Sequence, residues 1–117
     1  MDDARVWSFE DSLWRADRAH YEVSLDEGYL AVIAAPPYIL SGKGAADVLA
    51  KTPDWDEVNF SEQHVSRPQE GLIAIAYRVD ARKGEEAYAA RCSSVYRRVS
   101  HEHWTVVQHQ QTPVLAD

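Results

Sequence analysis

The chain has 117 residues, enough for one domain with a single core and one modest cavity. Hydrophobic residues make up 45% and charged residues 26%, and the formal net charge of −7 leaves no basic excess for displacing phosphate counterions, so nucleic acid is not expected as a partner. A single cysteine, Cys92, excludes an internal disulfide and any cysteine-built zinc site. The acidic N-terminus lacks the apolar core of a signal peptide, and no apolar run approaches membrane-spanning length, so a cytoplasmic protein without membrane contact is expected.

Asp2 or Asp3 can cap a first helix that the periodicity carries to about Ala19. Val6, Phe9, Leu13 and Ala16 form its apolar stripe, which Trp7 and Trp14 widen. These tryptophans pack the core, or Trp14 forms the floor of a ligand pocket. A short second helix is predicted over Tyr21–Asp26, ending at Gly28, and a strand over Gly28–Ala35, halted by Pro36-Pro37. Ser41 resembles the cap of a third helix over 42–51. Gly42-Lys43-Gly44 lacks the spacing and the Lys-Ser/Thr ending of a phosphate loop.

From Trp55 onward the pattern turns β. Strands are expected at 56–66, 72–82, 85–99 and 104–112, with a turn at Pro68-Gln69-Glu70-Gly71 and another at Lys83-Gly84. Helices that precede a continuous antiparallel meander indicate an α+β domain with the first helix packed on one sheet face. A turn at Lys83-Gly84 pairs Arg82 with Glu85, Tyr77 with Ala90 and Ile73 with Ser94. A turn at His101-Glu102 pairs Tyr96 with Val107 and Ser94 with His109. One face then collects Ile75, Tyr77, Cys92, Ser94, Tyr96 and His109. The other carries Leu72, Ala74, Val95 and Val106 among arginines, too apolar a mixture for water alone, and is expected to meet a second subunit. The last strand begins Trp104-Thr105-Val106-Val107 and ends Gln108-His109-Gln110-Gln111-Thr112, apolar at one end and wet at the other, as a pocket wall would be.

The Trp-bearing first helix, Tyr21-x-x-x-Leu25, the strand Ser94-Val-Tyr-Arg-Arg98 and the closing run Trp104-Thr-Val-Val-Gln-His-Gln-Gln-Thr-Pro113 together resemble the nuclear transport factor 2-like superfamily, and within it the SnoaL-like proteins. The resemblance spans nearly the whole chain. It implies a cone-shaped, strongly curved antiparallel sheet wrapped round the first helix, a cavity at the open end, and a homodimer through the outer sheet face. It does not imply one activity, because this superfamily holds isomerases, cyclases, dehydratases, adapters and oligomerisation modules. The ketosteroid isomerase branch carries an Asp before a Pro at the end of its first strand. Here that place is Ala35, which cannot take a proton, and residues 3–19 hold no tyrosine to match the branch's enolate stabiliser. The calcium/calmodulin-dependent kinase association domains carry an arginine where this chain has Ser94, and Arg91 falls on the opposite face.

His109 is the leading candidate for acid/base work near neutral pH, with Tyr77 as its partner. His109 either serves a ligand or hydrogen-bonds Ser94 to fix the sheet edge. Trp14, Tyr38, Ser94 and Tyr96 are the expected ligand-binding side chains, and a small apolar molecule with a few polar groups is the expected ligand. His101 and His103 share a turn with Glu102, but Thr105 stands where a second zincin histidine would be, so no metal is expected. No cofactor motif is present. The expected function is a small-molecule pocket, with or without SnoaL-like acid/base chemistry; the alternative is a non-catalytic dimerisation module that uses its outer sheet.

Overall fold

The computed structural model describes residues 1–42, 44–51 and 54–115, so the Gly42-Lys43-Gly44 loop centre lies outside them. Helix α1 spans Asp3–Leu13, and the Asp2 carboxylate caps it by accepting from the Arg5 N–H at 2.9 Å. It ends six residues before Ala19, because Asp17 caps a new helix, α2 (Arg18–Ser24), accepting from the His20 N–H at 2.9 Å. Strand β1 therefore starts at Leu25 and runs to Val32, with Gly28 inside it rather than closing a helix. The chain leaves β1 ahead of Pro36-Pro37, returns as the short β2 (Ile39–Ser41), and enters α3 (Ala45–Leu49), half the predicted length. Four long strands follow: β3 (Glu57–Gln69), β4 (Leu72–Lys83), β5 (Glu86–Ser100) and β6 (His103–Pro113).

One curved six-stranded sheet results, in the order β2-β1-β6-β5-β4-β3. The meander β3–β6 is antiparallel as expected, but β1 lies parallel to β6, a pairing that strand-by-strand patterning does not disclose. The β4–β5 turn is one residue later than predicted: Lys83 pairs with Glu86 around Gly84-Glu85, and Gly84 takes φ +58°, which glycine adopts without a Cβ penalty. Tyr77 consequently faces Cys92, and Ile73 faces Tyr96. A displacement of two residues preserves the side-chain alternation, so β4 and β5 give each face the side chains expected of them.

The β5–β6 hairpin turns at His101-Glu102, and Ser94 does meet His109. Between them the pairing slips by one residue at Arg98/Ser100 and back at Val95/Tyr96, so Tyr96 pairs with Val106 instead of Val107. Val106 therefore turns inward and is 1% exposed, against its predicted outer placement. The inner face packs on α1: Ile73, Ile75, Val79, Cys92 and Tyr96 are buried beneath Val6. Trp7 meets Tyr77 edge-on, with centroids 5.6 Å apart. Burial, reinforced by the charge of Glu10, pushes the Cys92 thiol up to about 12, so it stays protonated and behaves as a small apolar residue. No helix among the described residues is long and apolar enough to cross a membrane.

Candidate functional site

The inner sheet face and α1 do not close completely. They leave a cavity of about 360 Å³ at the open end of the cone. Leu13, Leu25, Ile33, Leu49 and Val106 give it an aliphatic wall. Trp14, Tyr29, Trp55 and Tyr88 add aromatic surface, with Trp55 and Tyr88 stacked at 6.0 Å. Besides the tyrosine hydroxyls, its polar groups are Glu10, His109 and Gln111.

Glu10 was not legible as a site residue. It lies on α1 one turn after Val6 and within the apolar stripe, so its side chain enters the core, where it is 1% exposed. Three hydroxyls converge on it: Ser94 Oγ donates to Oε2 at 2.8 Å, Tyr77 donates to Oε2, and Tyr96 donates to Oε1. Charge-assisted donors of this kind are what a buried carboxylate needs to offset lost hydration. Burial, with the charge of Glu10 next, pushes the Tyr77 and Tyr96 phenols far above their ordinary value, so both remain donors.

Ser94 Oγ also lies 2.7 Å from His109 Nδ1. Its one proton goes to Glu10, so Nδ1 of a neutral His109 must carry the hydrogen and donate to Ser94. Nε2 is then the acceptor, matched by the Gln111 amide nitrogen at 3.1 Å, while Gln111 Oε1 takes the Tyr88 hydroxyl at 2.8 Å. A directed chain thus runs Tyr88–Gln111–His109–Ser94–Glu10 from cavity wall to core. Burial lowers the His109 pKa, and the Glu10 carboxylate 3.6 Å away opposes that shift.

Of the residues anticipated at the site, Trp14 and His109 line the cavity. Tyr77, Ser94 and Tyr96 are placed behind Glu10, at most 2% exposed, where they hold the carboxylate instead of forming the wall. Trp14 reaches the same network, its indole N–H donating to the Tyr77 hydroxyl at 2.9 Å. Tyr38 is a correction: it sits on the β1–β2 connection, is 54% exposed and is absent from the cavity wall. It follows Pro36-Pro37 with φ +69°, a local backbone shape that aromatic composition does not reveal. Ala35 does line the cavity, without a carboxyl, and Arg91 lies on the outer face against Glu62. Among the described residues no group of three or more His, Cys, Asp or Glu side chains is placed to hold a metal.

An α1 helix wrapped by a curved six-stranded sheet, with a cavity at the open end, is the nuclear transport factor 2-like fold. No family model and no curated protein sequence matches the chain at a significant level. Similar solved structures include a ketosteroid isomerase candidate from Parabacteroides distasonis (TM-score 0.80, 16% identity, 93% of this chain and 85% of that one). A nuclear transport factor 2-like protein of unknown function in nutrient uptake from Rhodospirillum rubrum superposes with TM-score 0.78 and 16% identity over 98% of this chain and all of that one. The association domain of calcium/calmodulin-dependent kinase II from C. elegans gives 0.77 and 13%, covering 95% and 92%. At these identities the likeness is one of fold.

Proposed function

We propose that the cavity binds a small, largely apolar molecule whose polar end is read by Glu10, His109 and Gln111. The observation that carries this reading is a buried carboxylate at the inner end of an apolar cavity, tied through Ser94 to a histidine on its wall. A buried charge costs free energy that hydroxyl donors only offset, and an apolar side chain would fill the same core without that cost. The same arrangement supports acid/base chemistry of the SnoaL-like kind. His109 Nε2 accepts a proton from the ligand once the Gln111 amide moves aside, and the imidazolium formed is stabilised by Glu10 3.6 Å from Nδ1. Tyr77 acts behind this pair as a positioning residue.

The reading is tested by thermal shift against apolar molecules that each bear one hydrogen-bonding group. A binder of the folded state raises the midpoint with concentration. His109→Gln is expected to keep the fold yet weaken a hit by about tenfold or more, the scale of one buried hydrogen bond to a polar ligand group. A flat screen, or a variant that binds as the parent does, would count against the pocket.

The outer sheet face favours a homodimer as well. Ala74 and Val95 lie directly opposite one another, flanked by Leu72, and form an apolar patch on a face that α1 does not cover. Val95→Glu places two like charges in a two-fold contact, so light scattering should return a monomer. A dimer that survives would move the interface elsewhere.

A further inference from the structure

Three tyrosines line the cavity, and two have spent their hydroxyls within the protein. Tyr21 donates to the Leu13 carbonyl at 2.6 Å, and Tyr88 donates to Gln111. Tyr29 differs. The residue is 3% exposed, and among the described residues nothing hydrogen-bonds its hydroxyl; since no enclosed side-chain oxygen there lacks a partner, that hydroxyl keeps open space beside it. Glu10 is also not fully used. A carboxylate offers about four acceptor sites, and Oε2 takes two donors whereas Oε1 takes only Tyr96. Among the described lining residues none is Lys or Arg, so an anionic ligand would meet Glu10 with no cation to balance it.

Resting on the pocket reading above, we infer that the cavity selects a protonated apolar amine, its ammonium held between Glu10 and the Tyr29 hydroxyl and its body on the aromatic wall. An ammonium is a donor-only group, and it can fill one acceptor site on Glu10 Oε1 and a lone pair of the Tyr29 oxygen, whose own O–H is also free. Trp14 and Trp55 offer ring faces that attract a desolvated cation. The charge of Glu10 is then neutralised by the ligand instead of by a residue of the chain, and among the described residues no basic side chain hydrogen-bonds or ion-pairs with it apart from the nearby His109. An alcohol of the same shape would satisfy the hydrogen bonds but leave that charge unpaired. A carboxylate would add a second charge of the same sign.

Isothermal titration with 1-naphthylmethylamine, 1-naphthylmethanol and 1-naphthoate near neutral pH separates these cases on one skeleton. The amine is expected to bind about tenfold tighter than the alcohol, with the naphthoate weakest, as a charge-assisted and cation–π contact requires. Glu10→Gln should erase the preference for the amine. Tyr29→Phe removes a hydroxyl without a partner in the protein, so it should melt with the parent while weakening the amine about threefold, the worth of a modest hydrogen bond. This variant and the order of the three probes on the parent protein carry the test even where Glu10→Gln does not fold. An alcohol or naphthoate equal to the amine would overturn the amine assignment and leave the pocket standing. The absence of binding by all three would overturn both.

Discussion

Glu10→Ala is expected to destabilise the fold by about 3 kcal/mol, which for a chain of this length is a fall in melting temperature of roughly 10 °C. Removing the carboxylate leaves the Ser94, Tyr77 and Tyr96 hydroxyls without an acceptor in a region at most 2% exposed. Each stranded donor costs about 1 kcal/mol or more, while relief of the buried charge returns part of that sum. Glu10→Gln keeps an oxygen for two of the hydroxyls and is expected to lose about 1 kcal/mol. Chemical denaturation of the two variants checks the order, with the slope on denaturant unchanged. Alanine as stable as the parent would mean that the hydroxyl cluster does not need its acceptor. Glutamine worse than alanine would mean that the amide donors clash with the tyrosines, and that shape outweighs hydrogen-bond count.

That the most consequential site residue lay on α1 was only partly legible. The apolar stripe Val6, Phe9, Leu13 describes the buried face correctly, and Glu10 stands on the same line one turn after Val6. An acid on a core stripe was the available signal. It is lost when acidic residues of an N-terminal helix are all read as favouring its dipole or facing water. His109 and Ser94 were paired correctly because the two slips in the β5–β6 ladder cancel; the same slips put Val106, not Val107, against the cavity. The β4–β5 faces came out right despite a misplaced turn, since side-chain alternation has a period of two.

The rest was hidden for a common reason. Tyr29 lies within β1, as in the predicted strand over Gly28–Ala35, but the parallel pairing of β1 with β6 that sets this strand beside the cavity is not visible in the pattern. Trp55 is brought to Tyr88 by the sheet's curvature, which brings together residues 33 apart in sequence. Tyr38 faces away because of backbone shape at a single loop residue. Pattern reports which face a side chain takes, and it does so well for long regular strands. Where an element starts, and how far a sheet curls, depend on bulges and parallel pairings that are settled by tertiary packing.

One such pairing gives the second large effect. Asp26, at the start of β1, is 2% exposed and gathers four donors. Arg97 on β5 gives Nε at 2.6 Å and Nη2 at 2.9 Å, Thr105 on β6 gives its hydroxyl at 2.7 Å, and the Gly28 N–H donates at 2.8 Å. Burial alone would raise its pKa, but the Arg97, Thr105 and Gly28 hydrogen bonds together with the Arg97 charge prevail and bring it from 3.8 to about 2. Because the folded value is below the unfolded one, the native state binds the proton less readily. The stabilisation is complete above 3.8 and disappears as the pH falls from there toward about 2. Asp26→Asn should therefore cost about 1–2 kcal/mol near neutral pH, discounted because the Arg97 head is half exposed to solvent. The difference between parent and variant should shrink toward zero over that acid interval. Urea unfolding at a series of acid pH values measures it, and a gap that stays constant would assign the loss to packing at the β1–β6 junction and not to the charge. Such a junction is where the parallel strand is tied to the meander, so its loss would loosen β1 and with it Tyr29, linking this ion pair to the cavity wall.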